Sequence, residues 1–132
     1  MKAAFWDGKP FSVDVRQAPQ PRILQDTDAI VRLTTAAICG TDLHIYHGVL
    51  GSRKVPFGLG HEGVGIVTEI GAGVSTVKVG DRVVIPDVPD DGHANPQPLD
   101  ASLKIYGLGD DFGALGGLQG TLYPPAAGVL PH

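Results

Sequence analysis

Two short clusters hold the side chains that could do chemistry in this 132-residue chain. The first is Ile38-Cys39-Gly40-Thr41-Asp42-Leu43-His44. The second is Gly60-His61-Glu62, followed by Gly65, Gly71 and Val74. A thiolate and an imidazole are good zinc ligands, and a carboxylate can join them. Cys39 and His61 stand 22 residues apart, so they form no local knuckle and only a fold could bring them together. Taken one at a time, each also has a plainer reading. Cys39 could be a small buried apolar residue, and His61-Glu62 a surface pair. Thr41 and Asp42 could simply start a helix, since both types favour N-caps, with His44 and His47 facing solvent on that turn.

Gly58-Leu59-Gly60-His61-Glu62-Gly63 reproduces the letters G-x-G-x-x-G. A dinucleotide fingerprint needs a strand before it and a helix after it, so that pyrophosphate meets the helix N-terminus. Here a β-rich run containing Gly63 and Gly65 follows, so the match is read as a decoy. The later glycine-rich stretch, Gly107 to Gly120, also lacks that helix, and nothing else offers a phosphate cradle.

The elements that must position these clusters are short strands. The 19 glycines and 11 prolines break helices repeatedly and favour tight turns. Lys2 to Trp6 and the alternating Phe11 to Arg16 read as a hairpin joined by Asp7-Gly8-Lys9-Pro10. Asp28 to Ile38 is rich in β-branched residues, with Ile30, Arg32 and Thr34 on one face and Val31 and Leu33 on the other. Thr41 to His47 forms a helical turn. Glu62 to Ile70 and Arg82 to Ile85 are further strands. Five short strands with glycine turns predict a mostly β domain, a small barrel or sandwich. After Pro86, Asp87 to Pro98 reads as a proline-rich loop and Leu99 to Tyr106 as a short helical segment.

Length predicts one domain. A net charge of -4 with scattered signs leaves no footprint for nucleic acid. No apolar run reaches the roughly 20 residues of a membrane span. The N-terminal MKAAFWDGKPF lacks a signal-peptide stretch, so a cytoplasmic location is expected. With Cys39 as the only cysteine, an intrachain disulfide and a four-cysteine zinc site are excluded.

Together these residues resemble the N-terminal catalytic domain of the zinc-dependent medium-chain alcohol dehydrogenase family. Gly60 to Val74, GHEGVGIVTEIGAGV, matches that family's signature. AAICGTDLHIYHG looks like its first zinc-ligand loop and VGDRVVIP like the strand that follows. The match is strongest over residues 2–86, while 87–132 diverge. PRILQDTDAIVRLTT and the CGTDLHIYHG loop look closest to the branch with formaldehyde and threonine dehydrogenases.

The resemblance implies a GroES-like partly open β-barrel with short helical turns, a single domain over 1–132. It implies Cys39 and His61 as catalytic zinc ligands. Glu62 would stand beside the metal, as an alternating ligand or a supporting carboxylate. Thr41 would hydrogen-bond the substrate hydroxyl and begin a proton relay, with His44 at the position of its outer base. Asp42 would orient the ligands from behind, a common task for a carboxylate. The implied reaction is hydride transfer between an alcohol or aldehyde and NAD(P).

The chain also departs from the family pattern. The family's nucleotide-binding Rossmann domain is not among these residues, so NAD(P) binding and turnover are expected to need a separate nucleotide-binding chain or domain. Exposure of the face that such a domain would cover predicts a homo-oligomer as the other way of hiding it. The four-cysteine structural zinc lobe has no counterpart here. The family's third zinc ligand is not placed either, because the matching position in AAGVLPH would be Gly128. His93 and His132 are the available substitutes. A non-enzymatic GroES-like binding or assembly module derived from such an enzyme is the alternative reading.

Overall fold

The computed structural model describes residues 1–87, 106–109, 111 and 130–131. The expected loop after Pro86 and the helical segment before Tyr106 lie outside the described residues, Asp87 and Tyr106 themselves excepted. His93, Gly128 and His132 lie outside them too.

Strand β1 (Lys2–Trp6) pairs antiparallel with β2 (Asp14–Gln17), Lys2 opposite Gln17 and Phe5 opposite Asp14. The expected hairpin is present, but β2 starts three residues later than the alternation suggests. Phe11 has left the extended region, with φ 62, and its N–H donates to the Tyr46 carbonyl at 2.7 Å. That contact draws the hairpin connection onto the end of the helix. Arg16 then latches the hairpin, pairing with Asp7 and Asp14 while its guanidinium lies 4.9 Å from the Phe5 ring centroid.

The second sheet holds β3 (Ala29–Ala36), β5 (Gly63–Ile70), β6 (Arg82–Ile85) and β7 (Leu130–Pro131), in that order and all antiparallel. The two-residue β4 (Phe57–Gly58) closes the other edge of β1. Neither β4 nor β7 is long enough to show a period of two, so neither stood out in the sequence. Helix α1 (Gly40–Tyr46) occupies the predicted helical turn. The expected two-face alternation of β3 needs correcting at its start, where Ala29, Ile30 and Val31 are all buried. Register shifts between Ile30 and Val31 and between Leu33 and Thr35 interrupt the alternation, as bulges do.

Gly65 shows why the β5 sequence takes its form. A Cβ there would stand 2.5 Å from the Arg32 carbonyl oxygen, so glycine is what lets β5 press against β3. Behind the sheet Val31, Val67, Val77, Val83, Ile85 and Tyr106 form one core cluster. A second contains Trp6, Ile45, Phe57, Leu59 and Leu108, with the Trp6 and Phe57 rings 5.6 Å apart. Fully burying one such side chain contributes about 1.5–3 kcal/mol. The segment Tyr106–Gly109 places one side chain in each cluster and so ties the two together.

Tyr106 is buried and its hydroxyl finds no hydrogen-bond partner among the described residues. Burial first, and then the nearby charge of Asp28, push its pKa up to about 12. Asp28 is itself buried, with Oδ2 accepting from the N–H groups of Leu24 and Gln25 at 2.9 and 2.8 Å. The sign follows from linkage: unfolded tyrosine ionises near pH 10, so above that pH the unfolded chain is favoured until the folded group titrates as well. Tyr106→Phe is expected to match the parent within about 1 kcal/mol at pH 7. Between pH 10 and 12 the parent should lose up to roughly 2–3 kcal/mol that the variant keeps. Urea unfolding of both chains across that range checks this.

Candidate metal centre

The β3–β5 ladder brings the two chemical clusters together. Its last pair is Ala36 opposite Gly63. Cys39 follows β3 by three residues and His61 precedes β5 by two, so both emerge at the same end of the ladder. The Ala37 N–H donates to the Glu62 carbonyl at 3.3 Å and extends the pairing towards them. There Cys39 Sγ stands 3.0 Å from His61 Nε2.

Helix α1 places the third member. Cys39 is its N-cap, with Sγ accepting the Thr41 N–H at 3.2 Å. Asp42 Oδ2 accepts the Cys39 N–H at 3.0 Å, closing a capping box in which cysteine takes the place usually held by serine or threonine. The other Asp42 oxygen, Oδ1, faces His61 Nδ1 at 3.4 Å. Alignment there falls short of a hydrogen bond, and neither buried atom has another partner among the described residues. The two side chains are only 6% and 7% exposed, for His61 and Asp42 respectively. One ligand atom each from Cys39, Asp42 and His61 can be chosen within 4.8 Å of one another.

The ring orientation separates the roles. Asp42 stands on the Nδ1 side and Cys39 on the Nε2 side, so Asp42 is placed to fix the ring and not to share an ion with Nε2. With the proton on Nδ1, Nε2 points its lone pair at the space beside Cys39 Sγ. The donor set, a thiol and an imidazole, suits zinc. Zinc–sulfur and zinc–nitrogen bonds of tetrahedral geometry set the two atoms roughly 3.5 Å apart, so a small opening of the pair would admit the ion.

The pair lies in an open cleft of about 540 Å³ that also includes Thr41, Glu62 and Asp87. Thr41 is half-buried and Glu62 exposed. His44, exposed one turn further along α1, does not line the cleft. The structure therefore gathers Cys39, Thr41, His61 and Glu62 and leaves His44 outside. Asp87 had no sequence signal beyond its place after the RVVI strand. The decoy is settled by geometry: Gly58 belongs to β4 and Gly63 begins β5, so a strand and not a helix follows.

A family model for the alcohol dehydrogenase GroES-like domain matches residues 25–132. The chain belongs to this family. It is 44% identical over 86 residues to the uncharacterized zinc-type alcohol dehydrogenase-like protein AdhB of Bacillus subtilis, covering 65% of this chain and 22% of that protein. It is 37% identical over 134 aligned positions to a probable zinc-binding alcohol dehydrogenase of Mycobacterium tuberculosis, covering 96% of this chain and 33% of the relative. Among solved structures, alcohol dehydrogenase TADH from Thermus sp. ATN1 superposes with a TM-score of 0.82 at 34% identity, over 96% of this chain and 37% of that one. The alcohol dehydrogenase of Aeropyrum pernix gives 0.80 at 28% identity, over 100% of this chain and 40% of that one. The GroES-like fold is thus shared with zinc-type medium-chain dehydrogenases, of which this chain spans a fifth to two-fifths.

Asp42→Ala removes the N3 half of the capping box and leaves both the Cys39 N–H and His61 Nδ1 without their carboxylate. The metal-free chain is expected to lose about 2–4 kcal/mol, and Asp42→Asn, which keeps one oxygen, less. Urea midpoints measure both. An unchanged midpoint for Asp42→Ala would show that the carboxylate holds neither group.

Proposed function

We propose that this chain is the zinc-holding catalytic domain of an oxidoreductase that interconverts an alcohol and an aldehyde or ketone, with NAD(P) as hydride carrier. The observation that carries the reading is the approach of Cys39 Sγ to His61 Nε2, 3.0 Å, at the head of a cleft open to a small molecule. Bound there, zinc supplies Lewis acidity, which lowers the pKa of an alcohol oxygen and polarises a carbonyl.

The chain's own residues divide the remaining work. Cys39 and His61 hold the ion, and Asp42 keeps the imidazole ring turned towards it. A catalytic zinc usually takes three protein ligands, so a further group would join Cys39 and His61 in holding it. Glu62, on the cleft wall, is the nearest carboxylate in sequence to the pair. The Thr41 hydroxyl, half-buried in the cleft, accepts the proton of the substrate hydroxyl and passes its own outward. His44, exposed beyond it and outside the cleft, is the outer acceptor of that proton. The nicotinamide nucleotide is bound by a domain outside these residues, since the only G-x-G-x-x-G runs into a strand. Binding energy and hydride transfer then depend on that domain. Among the described residues no helix is long and apolar enough to cross a membrane, and the reading places the enzyme in the cytoplasm.

Metal content after purification under reducing conditions tests this. About one zinc per parent chain is expected, and none in Cys39→Ser. A parent chain without zinc would overturn the reading and leave a GroES-like binding module in its place.

A further inference from the structure

The segment Tyr106–Gly109 lies against Gly60, the residue before His61, and shares a core cluster with α1, the helix that Cys39 caps. Gly107, with φ +74, passes backbone to backbone over Gly60, the residue before His61. A Cβ on Gly107 would stand 2.7 Å from the Gly60 nitrogen and 2.8 Å from its carbonyl carbon, and closer still to its oxygen. Gly60 also has a positive φ, 94°, so neither chain can turn a side chain into the gap. One residue on, Leu108 joins the cluster containing Ile45, the buried apolar residue of α1, the helix that Cys39 caps.

Both ends of the segment are tied. The Tyr106 N–H donates to the Asp87 carbonyl at 3.0 Å, and the Leu108 carbonyl accepts the Ser52 N–H at 2.8 Å. Beyond Gly109, the Asp111 carboxylate accepts from the Ser52 hydroxyl at 2.8 Å and the Arg53 N–H at 3.0 Å. His61 follows the crowded glycine, Gly60, directly. Its ring has the thiol on one side and the 3.4 Å contact with Asp42 on the other. The backbone around it is tied at Leu59, whose N–H donates to the Ala4 carbonyl at 3.0 Å, and at Glu62, whose carbonyl accepts the Ala37 N–H at 3.3 Å, so Gly60 and His61 are the span between ties that crowding at Gly107 would displace.

We propose that Tyr106–Gly109 is a positioning strap for the metal pair and that Gly107, through its contact with Gly60, sets where His61 stands relative to Cys39. The zinc part of this inference rests on the functional reading above; the positioning part does not. Gly107 touches neither ion nor substrate and acts only through His61.

Gly80 supplies a matched control. It has φ +98, yet a Cβ there meets nothing within 4 Å. Gly80→Ala therefore carries the backbone strain of Gly107→Ala without the crowding. The test uses the full 132-residue chain under reducing conditions and two readouts: nuclear Overhauser cross-peaks between Cys39 Hβ and the His61 ring protons in the metal-free chain, and zinc affinity by competition with a chromophoric chelator. Gly107→Ala is expected to lose the cross-peaks and bind zinc about 10–100-fold more weakly, as loss of a supporting contact does at such sites. Gly80→Ala is expected to keep both. Cross-peaks retained in Gly107→Ala, or lost equally in Gly80→Ala, would overturn the proposal. If Gly107→Ala does not fold, Leu108→Ala, which loosens the strap without crowding Gly60, is read in its place: weakened cross-peaks support the proposal and parental ones overturn it. A parent chain that shows the cross-peaks but takes up no zinc would end the functional reading, and the strap would then be judged on the cross-peaks alone.

Discussion

Asp42 directs its two oxygens at different parts of the chain, and the candidate centre depends on that division. Oδ2 closes the N-terminus of α1 through the Cys39 N–H, while Oδ1 faces the inner nitrogen of the His61 ring. One buried carboxylate therefore meets Cys39 through its backbone and His61 through its side chain. A buried acid is costly unless it is paired and hydrogen-bonded. Here that cost keeps the helix, the end of the β3–β5 ladder and the imidazole in a single arrangement.

The rest of the fold supports this corner from two directions. The ladder determines which residues emerge together, because Ala36 faces Gly63 and the chain needs only three and two further residues to reach Cys39 and His61. The two core clusters set how far apart the emerging residues can stand. Val83 and Ile85 anchor the sheet in one cluster, and Ile45 anchors α1 in the other. Tyr106 and Leu108 belong to one cluster each, so the separation of sheet and helix is fixed by a short stretch of backbone.

How much of this could be read in advance varies from residue to residue. β1 and β6 have the predicted boundaries, since short apolar runs bounded by turns leave little choice. The helix was visible in Thr41 and Asp42 as capping residues, although the cap itself is Cys39, whose sulfur does work that the sequence assigns more readily to oxygen. The late start of β2 was not visible. It follows from a tertiary hydrogen bond at Phe11, and no local pattern encodes a contact with Tyr46. The triple burial at the start of β3 was hidden for a similar reason, because a bulge depends on the partner strand as much as on the strand itself. Of the candidate site, the residue types were legible and their proximity was not: 22 intervening residues carry no distance. The glycine at 107 stood out only as part of a glycine-rich run, and its contact with Gly60 is a property of the folded backbone.

The order of the elements along the chain has a consequence for how the centre comes into being. Cys39 follows β3 directly, whereas His61 arrives only after the helix, β4 and a turn, immediately before the strand that pairs with β3. During synthesis the Cys39 thiol is therefore made 22 residues before His61, the imidazole that stands beside it in the fold. Until β5 is complete and in register with β3, Cys39 stands without the imidazole that faces it in the finished fold. The Cys39–His61 pair thus forms late and reports a correctly registered sheet, and a chain stalled before Ile70 would carry the sulfur without the imidazole held against it.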